Sequence, residues 1–251
     1  MRIAIFSDIH SSLEALQPTV EAMKALEPDR YICLGDVVGY GASPDACCDI
    51  VKPFAEITIL GNHDAAVSGR MDYAYYYDAA RTALSHHARL LSEENMAWLR
   101  ELPYTVVEEE LGVCFSHGSP IQPQNFDYIL SEEQAALLQD HYDELQHVTF
   151  IGHSHLVKSF LVRPPGSEAG PSLEVTAERL ELKPDYKYIV TVGSVGQPRD
   201  HDARACFVLW DTDERTVTYH RVNYDVAAAA AKVFEDKRLS ADFGKRLYLG
   251  V

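Results

Sequence analysis

The sequence predicts a layered α/β fold, and three observations carry that expectation. Short apolar runs recur through the first 155 residues, each ending in a polar turn. Amphipathic stretches lie between several of them, and residues 157–222 alternate β-rich runs with turns. At 251 residues and 47% hydrophobic content, the chain can bury a full core as a single domain spanning 1–251.

Ile3 to Phe6 is an apolar run that leads straight into Asp8-Ile9-His10. Ser11 to Leu26 then reads as a helix, with Leu13, Leu16, Val20, Met23 and Leu26 on one side and Ser11-x-x-Glu14 as a capping box. Tyr31 to Leu34 is the next strand, running into Gly35-Asp36, and Ser43 to Val51 the next helix. Ile57 to Leu60 leads into Gly61-Asn62-His63-Asp64. Residues 65–100 are expected to form a mostly helical cap insertion that includes Asp72 to Asp78 and Ser92 to Leu99. Its Tyr73, Tyr75, Tyr76 and Tyr77 are assigned to helix packing in preference to stacking on a base or aryl group. Val113 to Phe115 runs into Ser116-His117, and, after a loop and a helix over Ser131 to Tyr142, Val148 to Ile151 runs into Gly152-His153-Ser154-His155. The β-rich runs of 157–222 read as a second sheet packed on the first, and Asp225 to Asp236 as a final helix.

Asp8, His10, Asp36, Asn62, His117, His153 and His155 each follow a strand, so positions far apart in the chain can converge on one sheet edge. Carboxylate, imidazole and amide oxygen are hard to borderline donors that suit two divalent transition ions. Manganese comes first, with iron, zinc, nickel or cobalt also compatible, and a structural zinc knuckle does not fit. One carboxylate can bridge two such ions, and Asp36, alone in its cluster, is the candidate bridge. The remaining histidines, His86, His87, His141, His147, His201 and His220, are read as surface or satisfied core residues.

The ordered set Asp8-x-His10, Gly35-Asp36, Gly61-Asn62-His63-Asp64, His117 and Gly152-His153-x-His155 resembles the calcineurin-like metallophosphoesterase superfamily. Gly193 to Asp200 looks like a C-terminal segment of its small bacterial and archaeal members. The resemblance implies a four-layer αββα sandwich of two mixed β-sheets flanked by helices. It also implies a dinuclear phosphoesterase acting by in-line attack of a metal-bridging hydroxide. Asp8, His10 and His155 would hold one ion and Asn62, His117 and His153 the other, with Asp36 shared. His63 would be the general acid. Asp64 would orient the His63 ring, a role compatible with that of a helix N-cap. Arg199 would contact a phosphate; the alternative is a surface arginine paired with Asp200 or Asp202.

Phosphoprotein phosphatases and symmetrical dinucleoside tetraphosphate hydrolases of this kind carry an Asp-Arg pair after the second motif, where this chain has Gly39-Tyr40-Gly41. Without that arginine, a dianionic monoester is less expected than a phosphodiester. Phosphomonoesterase, dinucleoside polyphosphate hydrolase and protein phosphatase stand as alternatives, as does a non-enzymatic metal-containing protein that binds a nucleotide or a partner. The net charge of −16 opposes binding of long nucleic acid but not of a small phosphate-ester or nucleotide substrate. No stretch approaches a membrane span, and the absence of a signal-peptide pattern with five cysteines read as free thiols places the protein in the cytoplasm.

Overall fold

A computed structural model describes residues 1–175 and 177–251. The first apolar run forms β1 (Arg2–Phe6), followed by α1 (Leu13–Ala25), β2 (Arg30–Cys33), α2 (Pro44–Phe54) and the two-residue β3 (Ile57–Thr58). Each helix returns the chain to a parallel neighbour, with Ile5 opposite Ile32 and Ile32 opposite Ile57. Then come α3 (Asn62–Ser68), α4 (Asp78–Leu90), α5 (Glu93–Glu101), β4 (Thr105–Glu108) and β5 (Val113–Ser116). The helix α6 (Glu132–Ala136) continues as 3-10 turns before β6 (Val148–Ile151), β7 (Val157–Val162), β8 (Ser172–Val175) and β9 (Arg179–Glu181). The chain ends in β10 (Lys187–Val192), β11 (Ala205–Asp211), β12 (Thr216–Val222), α7 (Val226–Glu235) and α8 (Ala241–Leu249).

Two six-stranded mixed sheets result, in the orders β3-β2-β1-β11-β12-β9 and β4-β5-β6-β10-β7-β8. Alternation along the strands sorts their side chains between three cores. Ile3 and Ile5 of β1 face the second sheet, where they join Phe115, Phe150, Val190 and Trp210. Ala4 and Phe6 face the other way, onto Leu16, Met23, Cys47, Val51, Leu84 and Leu99 of the helices. On the far side of the second sheet, Ile151, Phe160 and Ile189 meet Ala135 and Leu138. The stacking is therefore helix, sheet, sheet, helix, as the αββα expectation requires.

Three local expectations are corrected. The β-rich C-terminal runs do not make a sheet of their own: β7, β8 and β10 complete the sheet of β5 and β6, while β9, β11 and β12 extend the sheet of β1. Strand propensity marks a strand but not its partner, and β1 takes β11 antiparallel, Ile5 opposite Val208. The Ser11 capping box does not form. Ser11 lies at φ 56° and its hydroxyl meets no hydrogen-bond partner, α1 starts only at Leu13, and Glu14 pairs with Lys232 of α7. Asp72 to Tyr77 is not helical either: the Asp72 carboxylate accepts from the Ala74 amide at 2.9 Å and closes a turn, and α4 starts at Asp78. Ala65, Ala66 and Val67 of α3, Leu84 of α4 and Leu99 of α5 pack into the core on the helical side of the first sheet. Beyond Lys237 the tail closes with α8 against α7.

Phe150 is fully buried between the sheets, its ring 5.3 Å from that of Trp210. Phe150→Ala should destabilise the fold by about 3–5 kcal/mol, read as a lower urea midpoint; a loss below ~1 kcal/mol would show that the two sheets do not depend on this contact.

Candidate metal centre

The parallel strands β1, β2, β3, β5 and β6 all end on the same side, and the turns that follow them carry the predicted donors. Not all of those turns use ordinary extended or helical backbone. Asp8, His10, Asp36, His153 and His155 instead take the left-handed region, with φ of 55°, 48°, 52°, 65° and 59°. Aspartate and histidine tolerate this region better than most residues, yet each such position costs ~1–3 kcal/mol and is held by its surroundings. Here the first two turns are zipped together, as the amides of Asp8, His10 and Ser11 donate to the carbonyls of Gly35, Asp36 and Val37. Gly39, at φ 102°, has no room for a Cβ, which would collide with the His63 ring.

The seven predicted donors are all brought together and all buried. Asp8, His10 and His155 form one cluster of ligand atoms within 4.8 Å of one another, and Asp36, His117 and His153 form another. Asp36 Oδ2 lies 3.3 Å from His117 Nε2 and 3.6 Å from His10 Nε2, so it stands between the two groups. Asn62 Oδ1 is 3.2 Å from His117 Nε2. A third cluster, His10, Asp36 and His63, places His63 against the same centre.

Second contacts fix which nitrogen of each ring faces inward. Nδ1 of His10, His117 and His155 sits 3.1, 2.7 and 2.5 Å from the carbonyls of Val38, Leu34 and Gln197. A carbonyl only accepts, so Nδ1 carries the proton and Nε2 of a neutral ring presents a lone pair. His10 Nε2 and His155 Nε2 consequently face each other at 3.1 Å as two lone pairs. Such an arrangement repels unless a cation lies nearby, and the donor chemistry fits divalent transition ions.

The electrostatics of the chain's own groups points the same way. Burial pushes Asp8 up to about 7, although His117 pulls against it. Burial would also raise Asp36, but His117, His63 and His10 outweigh that and hold it well below the usual carboxylate range. His117, which burial alone would lower, is lifted to about 9 by Asp36. His10, His153 and His155 are held well below the usual imidazole range by burial, which keeps their lone pairs available.

The remaining candidates divide. The His63 ring stands beside His10, with centroids 4.8 Å apart, its Nδ1 meets no hydrogen-bond partner, and burial lowers it to about 4. The Asp64 carboxylate accepts from the amides of Val37, Val38 and Gly61 and so ties two donor turns together. Asp64 is the third residue of α3, whose N-cap is Gly61, and is not itself the N-cap. Arg199 is not paired with its neighbours, since Asp200 pairs with Arg221 and Asp202 with Arg204. Its guanidinium instead donates to Gln197 Oε1 at 3.2 Å and lies 5.9 Å from the Tyr40 ring centroid.

Sequence reasoning missed several tyrosines. Asn62 Nδ2 donates to Tyr76 Oη at 2.6 Å, which turns Asn62 Oδ1 toward His117. Tyr128 stacks on the His153 ring at 3.7 Å, and Tyr40 packs 4.5 Å from His63 and 4.9 Å from Phe243 of α8. His87 clamps the Tyr40 loop, accepting at Nδ1 from the Gly39 amide and donating from Nε2 to the Gly41 carbonyl. Only the tyrosine-rich composition of 72–78 hinted at this, and it did not say which ring turns inward.

A fold of two stacked mixed sheets with buried His/Asp clusters at the ends of parallel strands defines a metal-dependent phosphoesterase class. The chain belongs to the calcineurin-like phosphoesterase family, whose sequence profile matches residues 1–191. It is 34% identical over 253 residues to the uncharacterized protein MJ0912 of Methanocaldococcus jannaschii, covering 99% of this chain and 98% of that one. Its structure is similar to that of a metallophosphoesterase from Sphaerobacter thermophilus (TM-score 0.83, 31% identity, 100% and 99% of the two chains). It also resembles in fold the hypothetical protein PH1004 of Pyrococcus horikoshii (TM-score 0.78, 20% identity, 100% and 98% covered). The family uses a dinuclear metal centre, and the clusters described here supply candidate donors for one.

Tyr76→Phe, which removes the acceptor for the Asn62 amide, should weaken one of two manganese-binding events by on the order of ten-fold and spare the other in a calorimetric titration. Unchanged affinities at both would mean that Asn62 needs no such anchor.

Proposed function

We propose that the protein hydrolyses phosphodiester bonds of a small phosphorylated substrate at a centre of two divalent ions. The observation that carries this reading is the placement of Asp36 Oδ2 between two donor groups, one of Asp8, His10 and His155 and one of His117 and His153 with Asn62. Two ions bound there would neutralise phosphate oxygens as Lewis acids and supply an activated water. Manganese heads the candidates, because nitrogen and oxygen donors without thiolate suit it.

The chain's own residues would do the rest. Asp36 holds the two groups of donors in one frame, its Oδ1 fixed at 2.8 Å by the His63 amide. His63 borders an open cavity; burial alone keeps its ring neutral, but an anionic phosphate beside it favours the protonated form, which donates the proton to the leaving oxygen. Arg199, whose charge Asp200 and Asp202 do not neutralise, binds a nonbridging phosphate oxygen. Asp64 acts indirectly, by keeping the turns that carry Asp36 and Asn62 together.

Two features favour a diester. Tyr40, not an arginine, occupies the loop beside His10 and His63, and a monoanionic diester asks for less compensating charge than a dianionic monoester. A cavity of about 390 Å³ adjoins Asn62, His63 and His153 and gives a second ester substituent room. We also take residues 1–251 as one domain, since β11 and β12 pair into the sheet of β1. Five buried free thiols support a reducing compartment such as the cytoplasm. Among the described residues, no helix is long and apolar enough to cross a membrane.

Metal-stripped protein given back manganese should cleave bis-nitrophenyl phosphate faster than nitrophenyl phosphate; a preference for the monoester would favour a phosphatase, and no turnover with any metal a binding protein. His63→Ala should keep its metal and lose most turnover on diesters with poor leaving groups, where protonation matters, but far less on nitrophenyl diesters. Equal losses on both would remove His63 from the acid role. Asp36→Ala should lose at least one ion by elemental analysis, and full occupancy in that variant would contradict a shared carboxylate.

A further inference from the structure

The cavity beside the donor clusters has a composition that the hydrolytic chemistry does not explain. Tyr40, Tyr75, Tyr76, Tyr77, Phe126 and Tyr128 line it, together with Asn62, His63 and His153 at its inner end. No lysine, arginine, aspartate or glutamate is among its lining residues, although the chain as a whole is strongly acidic. Aromatic rings on this scale are ordinarily buried, yet Tyr75 is 74% exposed, Tyr77 54% and Tyr128 43%. The non-helical turns of 72–77 carry Tyr75 and Tyr77, with Tyr76 anchored to Asn62 and Tyr75 edge-on to Tyr76, centroids 5.0 Å apart, while Tyr128 is held by its stack on His153.

Resting on the phosphodiesterase reading, we infer that this cavity binds the nucleobase of a nucleotide whose phosphate lies at the donor clusters. An uncharged, aromatic-walled recess has little to offer a sugar phosphate or a charged peptide, but it offers flat faces to a planar heterocycle. Its edge carries polar groups suited to a base. Asn125 Nδ2 is held by Gln122 Oε1 at 2.9 Å, which leaves Asn125 Oδ1 to accept from an exocyclic amine, and the exposed phenols add further donors and acceptors. The cavity volume falls in the range of small-ligand sites. Its position decides the orientation: His63 and His153 border it from the metal side, so the base lies outward of the phosphate and against the tyrosines. Because a base is uncharged, the acidity of the remaining surface does not oppose its entry, whereas a long nucleic-acid strand would meet that acidity along its length.

The test is calorimetric titration of the manganese-loaded protein with AMP and with ribose 5-phosphate, which share a pentose and a terminal phosphate and differ in the base. AMP should bind about ten-fold tighter or more, and Tyr75→Ala, an exposed position whose loss leaves the core intact, should bring the affinity ratio at least three-fold closer to one. Equal affinities in the unsubstituted protein, or no binding of either compound, would overturn the inference. An AMP preference that survives intact in both Tyr75→Ala and Asn125→Ala would overturn the assignment to this cavity. Metal-dependent cleavage of bis-nitrophenyl phosphate by the same preparation is scored separately, so a failed hydrolysis reading and a failed base site are distinguishable.

Discussion

The turns after β1, β2 and β6 bend through the left-handed region, and the placement of five of the seven donors follows from that. Asp8, His10, Asp36, His153 and His155 all adopt it, at a cost that no local preference repays in full. The compensation is collective. The amides of the first turn donate to the carbonyls of the second, the Asp64 carboxylate accepts from Val37, Val38 and Gly61, and the Asp8 carboxylate accepts from the His153 amide. The sheets matter to function chiefly because they hold these turns at a fixed separation.

Packing so many polar groups together creates a second constraint. Two carboxylates and the imidazoles around them are almost wholly out of water, where an unpaired charge is costly. The cluster's own groups offset one another: the surrounding imidazoles hold Asp36 well below the usual carboxylate range, Asp36 lifts His117 to about 9, and burial pushes Asp8 up to about 7. That arrangement is provisional, since His10 Nε2 and His155 Nε2 remain face to face. A divalent ion accepting both lone pairs would relieve the repulsion, so metal affinity and site geometry are one problem.

Much of this was legible in the sequence because both ingredients are local. A short, continuously apolar run and an abrupt polar turn can be read within ten residues, which is why the strand ends and all seven donors emerge as positions. The partners of those strands are set by long-range pairing, and nothing in Ala205–Asp211 announces that it belongs beside β1 and not in a separate sheet. The tyrosines failed for a related reason. Composition suggests a helix over 72–78, but the Ala74 amide donates to Asp72 and closes a turn there, where Tyr76 meets Asn62 while Tyr75 stays in solvent. Arg199 is ambiguous in the sequence because Asp200 and Asp202 stand close to it, and only the fold gives those carboxylates to Arg221 and Arg204.

The proposed function rests on two ion sites that share Asp36. Electron paramagnetic resonance of the stripped protein titrated with manganese addresses it most directly, because two ions bridged by one carboxylate are exchange-coupled and two separate ions are not. The account predicts saturation at two ions per chain with a coupled spectrum. Saturation at one ion, or two ions with uncoupled spectra, would contradict it.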